Sequence, residues 1–162
     1  MLFDEADENA VLYYASANNE IVATIRSQFG TEGSFKASDN DFFGISTFET
    51  VVAHEKVGIV DRLIVDKNFR RDSLAHEIMQ AAYIGSLKGG TKVCFITCDD
   101  KLLPLYIRYG FRVYTEPVHL PTGEKRNRMV LFYATGNICK KYEARFYRTC
   151  PKTWMTNNTT QG

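Results

Sequence analysis

Apolar and polar residues alternate near the start of the chain. Two β-rich runs, 11–15 and 21–28, flank an Asn-Asn pair at 18–19, and asparagine tolerates the positive φ of a tight turn. This pattern predicts a β-hairpin. Residues 58–66 form a nearly continuous apolar run, which is typical of a central strand buried on both faces.

The clearest helical pattern follows that strand. Apolar or small residues recur at about helical spacing from Leu74 to Leu87. Asp72 or Ser73 can cap the start, and a Gly-Gly pair at 89–90 ends the pattern. The sequence therefore predicts a long helix directly after the buried strand.

The remaining segments carry weaker patterns. Turn-forming residues predict a loop over 30–44, and a Ser/Thr cap signal predicts a short helix within 46–56. Later elements are predicted as a strand at 92–98, a helix over 101–110 with Pro104 in its first turns, and strands at 111–120 and 128–134 joined by the connector 121–127.

The order β-β-(α)-β-α-β-α-β-β predicts a mixed sheet of the α/β (α+β) class. We expect one domain over residues 1–136. Residues 137–162 form a basic, aromatic tail whose end is expected to be disordered.

Composition narrows the functional classes. The 162 residues favour a single domain, and a net charge of +1 argues against a general nucleic-acid binder. No apolar run is long enough for a transmembrane helix, and the acidic start lacks the basic region of a signal peptide, so a cytoplasmic protein is expected. The four cysteines form no C-x-x-C pair, so we expect buried thiols in a reducing cytosol and no metal site.

The junction between strand 58–66 and the long helix suggests an anion site. The first amides of a helix lack intrahelical partners and lie at the positive end of its dipole. Arg70 and Arg71 add charge-assisted donors, and Ser73 is small enough for a phosphate to approach the backbone. Alternatively, the arginines form a solvated helix start, although cations there oppose the dipole by about 0.3–1 kcal/mol each.

Two motifs carry a family resemblance. The stretch RRDSLA fits the R/Q-x-x-G-x-G/A loop of the GNAT N-acyltransferase superfamily, with Arg70 first, Ser73 in place of the middle glycine and Ala75 last. LYIRYGF, at 105–111, fits the second signature, L-Y-x-x-x-G-F. The chain resembles this superfamily over roughly residues 8–133. The resemblance implies a mixed, mostly antiparallel sheet flanked by helices, with a V-shaped splay between its central strands.

Within the superfamily, the chain looks most like the long-chain N-acyl amino acid synthases and related fatty-acyl enzymes, which are similar to acyl-homoserine lactone synthases. Such enzymes take an acyl group from acyl carrier protein or acyl-CoA and give it to an amine, here of an amino acid or peptide. Their usual N-terminal strand and helices are expected to be absent, because Met1 falls just before the hairpin. The segments 30–44 and 46–56 and the tail then become candidates for the acceptor side.

The resemblance also assigns the donor site. Backbone groups of the central strand would contact pantetheine, and one N–H there would stabilise the oxyanion. The turn would hold the phosphates. The expected donor-binding residues are Leu63, Ile64, Val65, Phe69, Arg70, Arg71, Asp72, Ser73, Leu74 and Ala75.

Tyr106 matches the general acid of the superfamily, although a tyrosine there could equally pack in the core. Asp61 is a candidate general base, with pairing to Arg62 as the alternative. Arg26 and Arg62 match arginine positions of the fatty-acyl relatives and are candidates for substrate contact or for a structural role. His119 borders the acceptor side and is a weaker candidate, whereas His76 is expected at the surface.

Two other functions fit the same residues. One is a short-chain, acetyl-CoA-dependent N-acetyltransferase, and the other is a non-catalytic module that binds acyl-CoA or an acyl carrier. Phe42, Phe43 and Phe95 suit an acyl tunnel or, equally, a core. Arg70, Arg71 and the basic cluster at 140–148 could contact an acidic carrier protein, and an oligomer is compatible with the sequence.

Overall fold

The computed structural model describes residues 5–30, 35–49, 52–70 and 73–133. The predicted tail at 137–162 lies outside the described residues. Short 3-10 turns occupy Glu5–Asp7, His54–Lys56 and Lys67–Phe69. The helices are α1 (Ala37–Phe43), α2 (Ile45–Phe48), α3 (Leu74–Lys88) and α4 (Leu103–Arg108). The strands are β1 (Ala10–Ala17), β2 (Glu20–Phe29), β3 (Val57–Val65), β4 (Val93–Cys98), β5 (Arg112–Val113), β6 (Val118–His119) and β7 (Lys125–Phe132).

The strands form one mixed sheet in the order β1-β2-β3-β4-β7-β5, with β6 also pairing with β7. Only the β3–β4 pair is parallel among the described strands. The predicted α/β (α+β) class with a mostly antiparallel sheet is therefore confirmed. No helix in the described ranges is long and apolar enough to cross a membrane.

The N-terminal hairpin follows directly from its turn residues. Asn18 and Asn19 have φ values of 51° and 64°, which a two-residue type I′ turn requires at both central positions. Helix α3 packs across this hairpin. Gly85 allows the close approach, because a Cβ at that position would overlap the hydroxyl of Tyr13.

The central strands separate after a short parallel contact. Strand β3 pairs with β4 only at Val57, Gly58 and Ile59, although both strands continue further. The register between β2 and β3 shifts near Arg62, whose φ is 52°. Beyond Ile59, β3 has no partner on its β4 side among the described strands, and this gap is the expected splay.

The sheet has a hydrophobic cluster on each face. Helix α3 covers one face, where Ile78 and Ala82 pack against Ile25 and Ile96. Helices α1 and α2 cover the other face around the fully buried ring of Phe95. In a regular strand, Ile59 and Leu63 would point to the same face of the sheet. The bulge between them, where the register with β2 shifts, reverses this, because Ile59 packs in the α1 cluster whereas Leu63 packs on the α3 cluster.

The α1 side differs in part from expectation. The prediction of a loop over 30–44 was wrong, because helix α1 lies inside it, whereas the short helix predicted within 46–56 corresponds to α2, which begins one residue earlier, at Ile45. Gly44, with φ 62°, ends α1 in the left-handed conformation. Tyr114 and Arg128 donate to the last carbonyls of α1, at Phe43 (2.7 Å) and Phe42 (2.8 Å). These donors come from distant segments, so tertiary contacts stabilise a helix that local propensity does not favour.

Strand boundaries near the C-terminal end also differ from expectation. The predicted strand 111–120 contains only the two-residue strands β5 and β6. Pro117, between them, has no N–H to donate to a sheet. Strand β7 begins at Lys125, inside the predicted connector, which tightens into a turn around Gly123 with φ 81°.

Cys94 and Cys98 are buried free thiols, as predicted for two of the four cysteines. Cys139 and Cys150 lie outside the described residues. Burial raises the pKa of Cys94 from 9.0 to about 12. The free energy of unfolding is therefore expected to lose up to about 1.4 kcal/mol per pH unit above pH 9, because only the unfolded thiol ionises there.

Urea unfolding at pH 8 and pH 10 measures this loss, with Cys94→Ala as the comparison. The alanine variant should lose less stability between the two pH values. Equal losses in both proteins would show that Cys94 does not contribute to the alkaline dependence.

Candidate active site

The turn after β3 is held by its own side chains. Asp66 accepts a hydrogen bond from the Asn68 amide (2.8 Å), and the 3-10 turn follows. The exposed side chain of Arg70 donates from Nε to the Val65 carbonyl at 3.0 Å. These bonds bring the chain back toward the sheet and place the start of α3 beside the splay.

Helix α3 begins without a cap from its N-cap side chain. Ser73 occupies the N-cap position, but its hydroxyl bonds the carboxylate of Glu77 instead of a backbone amide. Of the expected donor residues, Phe69 and Arg70 lie at the end of the 3-10 turn, and Ser73, Leu74 and Ala75 lie at the start of α3. Arg71 and Asp72, also predicted here, lie outside the described residues.

Leu63, Ile64 and Val65 line the open edge of β3. Leu63 and Val65 pack on the α3 cluster, whereas Ile64 is 61% exposed. Strand β2 pairs with Ile64 and Val65 on one side only. Their other side faces the splay, where a bound chain can reach the backbone.

Tyr106 reaches the α3 side of the splay from α4. It is 7% exposed and packs edge-on against Phe111 with ring centroids 5.9 Å apart. Burial raises its pKa to about 12, and nearby Cys98 and Asp99 act in the same direction. A hydroxyl with this pKa stays protonated at neutral pH and can therefore serve as a proton donor. Beside it is an apolar cavity of about 30 Å³, lined by Ile25, Val60, Met79, Cys94, Ile96 and Tyr109 among others.

Arg26 and Asp61 form a two-point ion pair across β2 and β3. The guanidinium donates from Nε to Oδ1 (2.7 Å) and from Nη2 to Oδ2 (2.6 Å). Its Nη1 also binds Asp7 at 2.8 Å. The alternative that Asp61 pairs with Arg62 was wrong. Asp61 pairs with Arg26, and Arg62 binds Asp7 at 2.9 Å.

A second, more polar cavity of about 320 Å³ opens on the α1 face next to this ion pair. Arg26, Gln28 and Asp61 from the sheet line one wall, and Lys36 and Phe42 from the α1 region line another. Thr97, on β4, also lines this cavity. The splay thus has an apolar cavity on one face and a polar cavity on the other.

The family model of FeeM, an N-acyl amino acid synthase, matches residues 1–134. The chain belongs to the FeeM N-acyl amino acid synthase family. It is therefore an N-acyltransferase with the GNAT fold, as the two motifs predicted. No curated protein sequence matches the chain.

Solved structures agree with the fold of the FeeM family. BjaI, a CoA-dependent acyl-homoserine lactone synthase solved with SAM and isopentyl-CoA, has a TM-score of 0.65 at 17% identity, covering 90% of this chain and 68% of its own. FeeM from uncultured soil microbes has a TM-score of 0.65 at 13% identity, covering 81% and 75%. A GNAT-family acetyltransferase from Streptococcus pneumoniae has a TM-score of 0.57 at 11% identity, covering 78% and 68%.

The site of this FeeM-family chain does not include every predicted side chain. His119 is exposed on β6, and β4 and β7 separate it from Asp61 on β3. With strands about 4.8 Å apart, His119 is too distant to contact the ion pair. Its predicted contact with substrate would have to involve a different part of the ligand.

Sequence reasoning missed a contact between His76 and Tyr109. His76 Nδ1 lies 2.6 Å from the Tyr109 hydroxyl, and their rings stack with centroids 5.5 Å apart. His76 is half-buried, so its expected surface position was wrong. Burial raises the pKa of Tyr109 to about 12. The pair joins the first turn of α3 to the end of α4, and 33 residues separate the partners, so no local pattern reveals it.

Arg62 combines a strained backbone with a structural ion pair. Its φ of 52° disfavours a residue with a Cβ, while its side chain helps neutralise buried Asp7. Both Arg62→Ala and Arg62→Gly lose the ion pair, but only glycine relieves the strain. We expect Arg62→Gly to be more stable than Arg62→Ala by roughly 1 kcal/mol in urea unfolding. The reverse order would show that the bulge is not maintained in the variants.

Proposed function

We propose that this FeeM-family enzyme transfers an acyl group from acyl-CoA or an acyl carrier protein to the amine of an amino acid. The observation that carries the proposal is the splay between β3 and β4, with the buried Tyr106 on one face and a polar cavity on the other. The acyl donor and the amino acid would approach from opposite faces of the sheet, and their reactive ends would meet in the gap between β3 and β4.

The donor binds along the turn and the open edge of β3. Amides at the start of α3, together with Arg70 and Arg71, hold the phosphates. Pantetheine runs beside Leu63 to Val65 and pairs with their backbone groups. A backbone N–H of this stretch binds the carbonyl oxygen as it becomes negative.

The reaction joins the amine nitrogen to the thioester carbon and then breaks the carbon–sulfur bond. Tyr106 donates its proton to the departing sulfur, which leaves as a thiol. The ammonium form of the amine first releases one proton to water so that the neutral nitrogen can attack, the nitrogen loses a second proton to water as the amide forms, and the tyrosinate recovers a proton from water. Asp61, already paired with Arg26, orients the amine rather than moving freely as a base.

The proposal keeps both acyl-CoA and acyl carrier protein as donors, because each carries the acyl group as a thioester on a phosphopantetheine arm. The BjaI structure contains isopentyl-CoA, which supports a CoA thioester. Exposed Arg70 would equally suit the acidic surface of a carrier protein. Added salt would weaken the binding of either donor, since cationic groups at the start of α3 would hold both the phosphates of CoA and an acidic carrier, so the comparison of donors in the thiol-release assay decides between them.

A short acyl group is the second candidate. The apolar cavity of about 30 Å³ does not admit a long chain unless its side chains move. Met79 at this cavity is flexible enough to adapt. Acyl length therefore depends on how far this cavity opens.

Thiol release tests the proposal directly. The full chain is incubated with acetyl-, octanoyl- and palmitoyl-CoA, and with the matching acyl carrier proteins, in the presence of an amino acid panel. We expect thiol release that depends on the amine, with the N-acyl amino acid detected by mass spectrometry. A preference for acetyl-CoA would favour the second candidate. Absence of release from every donor would contradict both and leave the binding-module alternative.

A further inference from the structure

The polar cavity contains a buried oxygen that the described chain does not satisfy. Gln28 is 2% exposed, and its Oε1 has no hydrogen-bond partner among the described residues. Its Nε2 donates to Asp61 at 3.3 Å. Exchanging the two amide atoms would place Oε1 against the carboxylate, so Asp61 determines which amide atom remains open.

We infer that this cavity binds the acceptor amino acid and that Gln28 Oε1 accepts a hydrogen bond from its amine. The inference rests on the proposed acyl transfer, since it assigns the second substrate of that reaction. A buried acceptor without a partner is unfavourable, and an amine supplies the missing donor. Asp61, whose side chain is 34% exposed and pairs with Arg26, offers carboxylate oxygens at the same wall.

The opposite wall favours a carboxylate. Lys36, exposed at the start of α1, lines the cavity. Asp39 accepts from the Lys36 amide at 3.2 Å and so holds this residue at the helix start. Arg26 neutralises Asp61 and Asp39 also lines the cavity near Lys36, so the match to an amino acid rests on the open Gln28 oxygen on one wall and the Lys36 cation on the other.

The volume and lining also limit the acceptor. About 320 Å³ lies at the lower end of small-molecule pockets, which are roughly 300–1,000 Å³. Phe42 and Phe43 offer an aromatic wall for an apolar side chain. Thr97 lies just beyond the last β3–β4 pair, so an amine in this cavity is next to the splay.

Binding without an acyl donor tests the assignment. The probes are L-phenylalanine, N-acetyl-L-phenylalanine and L-phenylalanine methyl ester, measured by calorimetry with the full chain. We expect acetylation of the amine to weaken binding by roughly tenfold, because it removes the charged donor. Esterification should weaken binding several-fold in the native protein and have no effect in Lys36→Ala.

Kinetics with octanoyl-CoA give the matched comparison. Gln28→Met preserves the length of the side chain but removes the oxygen together with the long Nε2 bond to Asp61, so KM for phenylalanine should rise roughly tenfold with little change in kcat. Ser27→Ala is the control. Ser27 is also fully buried with an unpartnered hydroxyl among the described residues, but it points to the opposite side of β2. Its KM should not change.

The outcomes separate this inference from the proposed function. Equal binding of all three probes, or turnover with unchanged KM in Gln28→Met, would place the acceptor elsewhere while acyl transfer stands. Amine-dependent binding without thiol release would retain the cavity assignment and contradict acyl transfer. If Gln28→Met does not fold, the acetylation comparison in the native protein tests the amine contact, and the ester comparison in Lys36→Ala tests whether the ligand lies in this cavity.

Discussion

Replacing Tyr106 with phenylalanine is expected to lower kcat by about a hundredfold or more, with KM for both substrates changed little. The hydroxyl supplies the proton that the departing sulfur needs, and phenylalanine preserves the ring that packs against Phe111. Single-turnover thiol release with the best acyl donor measures the effect. Tyr14→Phe on β1 is the control, and it should retain full activity.

The pH dependence adds a second readout. Because burial places the pKa of Tyr106 near 12, this group remains protonated across the working range. The native enzyme should therefore show no loss of kcat from Tyr106 between pH 7 and pH 10. An unchanged kcat in Tyr106→Phe would show that another group or water protonates the sulfur, and Tyr109 beside His76 would become the first alternative.

Short-range sequence patterns predicted the elements whose conformation depends mainly on neighbouring residues. The Asn18-Asn19 turn requires positive φ at two positions, and few residue types tolerate this. The strand and helix on either side of the 66–75 turn have strong periodic patterns. The first acyltransferase motif lies in this turn and at the start of α3, whereas the second lies on α4 and the turn after it, so the sequence alone predicts where a donor site is expected.

The acceptor side depends on contacts between distant segments. Helix α1 has a polar sequence that suggests a loop, and it is held by Tyr114 and Arg128, which lie 71 and 86 residues away from their partners. The ion pairs also follow from the bulge in β3. Arg26 pairs with Asp61, and both Arg26 and Arg62 bind Asp7, whereas the sequence suggested a pair between Asp61 and Arg62. No spacing in the sequence encodes either feature, so the polar cavity could not be predicted.

Replacing Arg26 with methionine is expected to destabilise the fold by about 3 kcal/mol, the lower part of the range for breaking a buried ion pair. The Arg26 side chain is 6% exposed and neutralises Asp7, which is 2% exposed. Methionine fills a similar volume but leaves the carboxylate of Asp7 with less compensation. Arg62 continues to bind Asp7, and this contact limits the loss.

Urea unfolding of Arg26→Met and Arg126→Met measures the contribution of burial. Arg126 pairs with Glu124 at 2.6 Å, but the two side chains are 33% and 57% exposed. The same substitution there should change the free energy of unfolding by less than about 1 kcal/mol, because water replaces the lost partner. Adding Asp7→Asn to Arg26→Met should recover part of the stability, since it removes the buried charge. Equal destabilisation in the two single variants would show that the Asp7–Arg26–Asp61 network does not support the sheet beside the acceptor cavity.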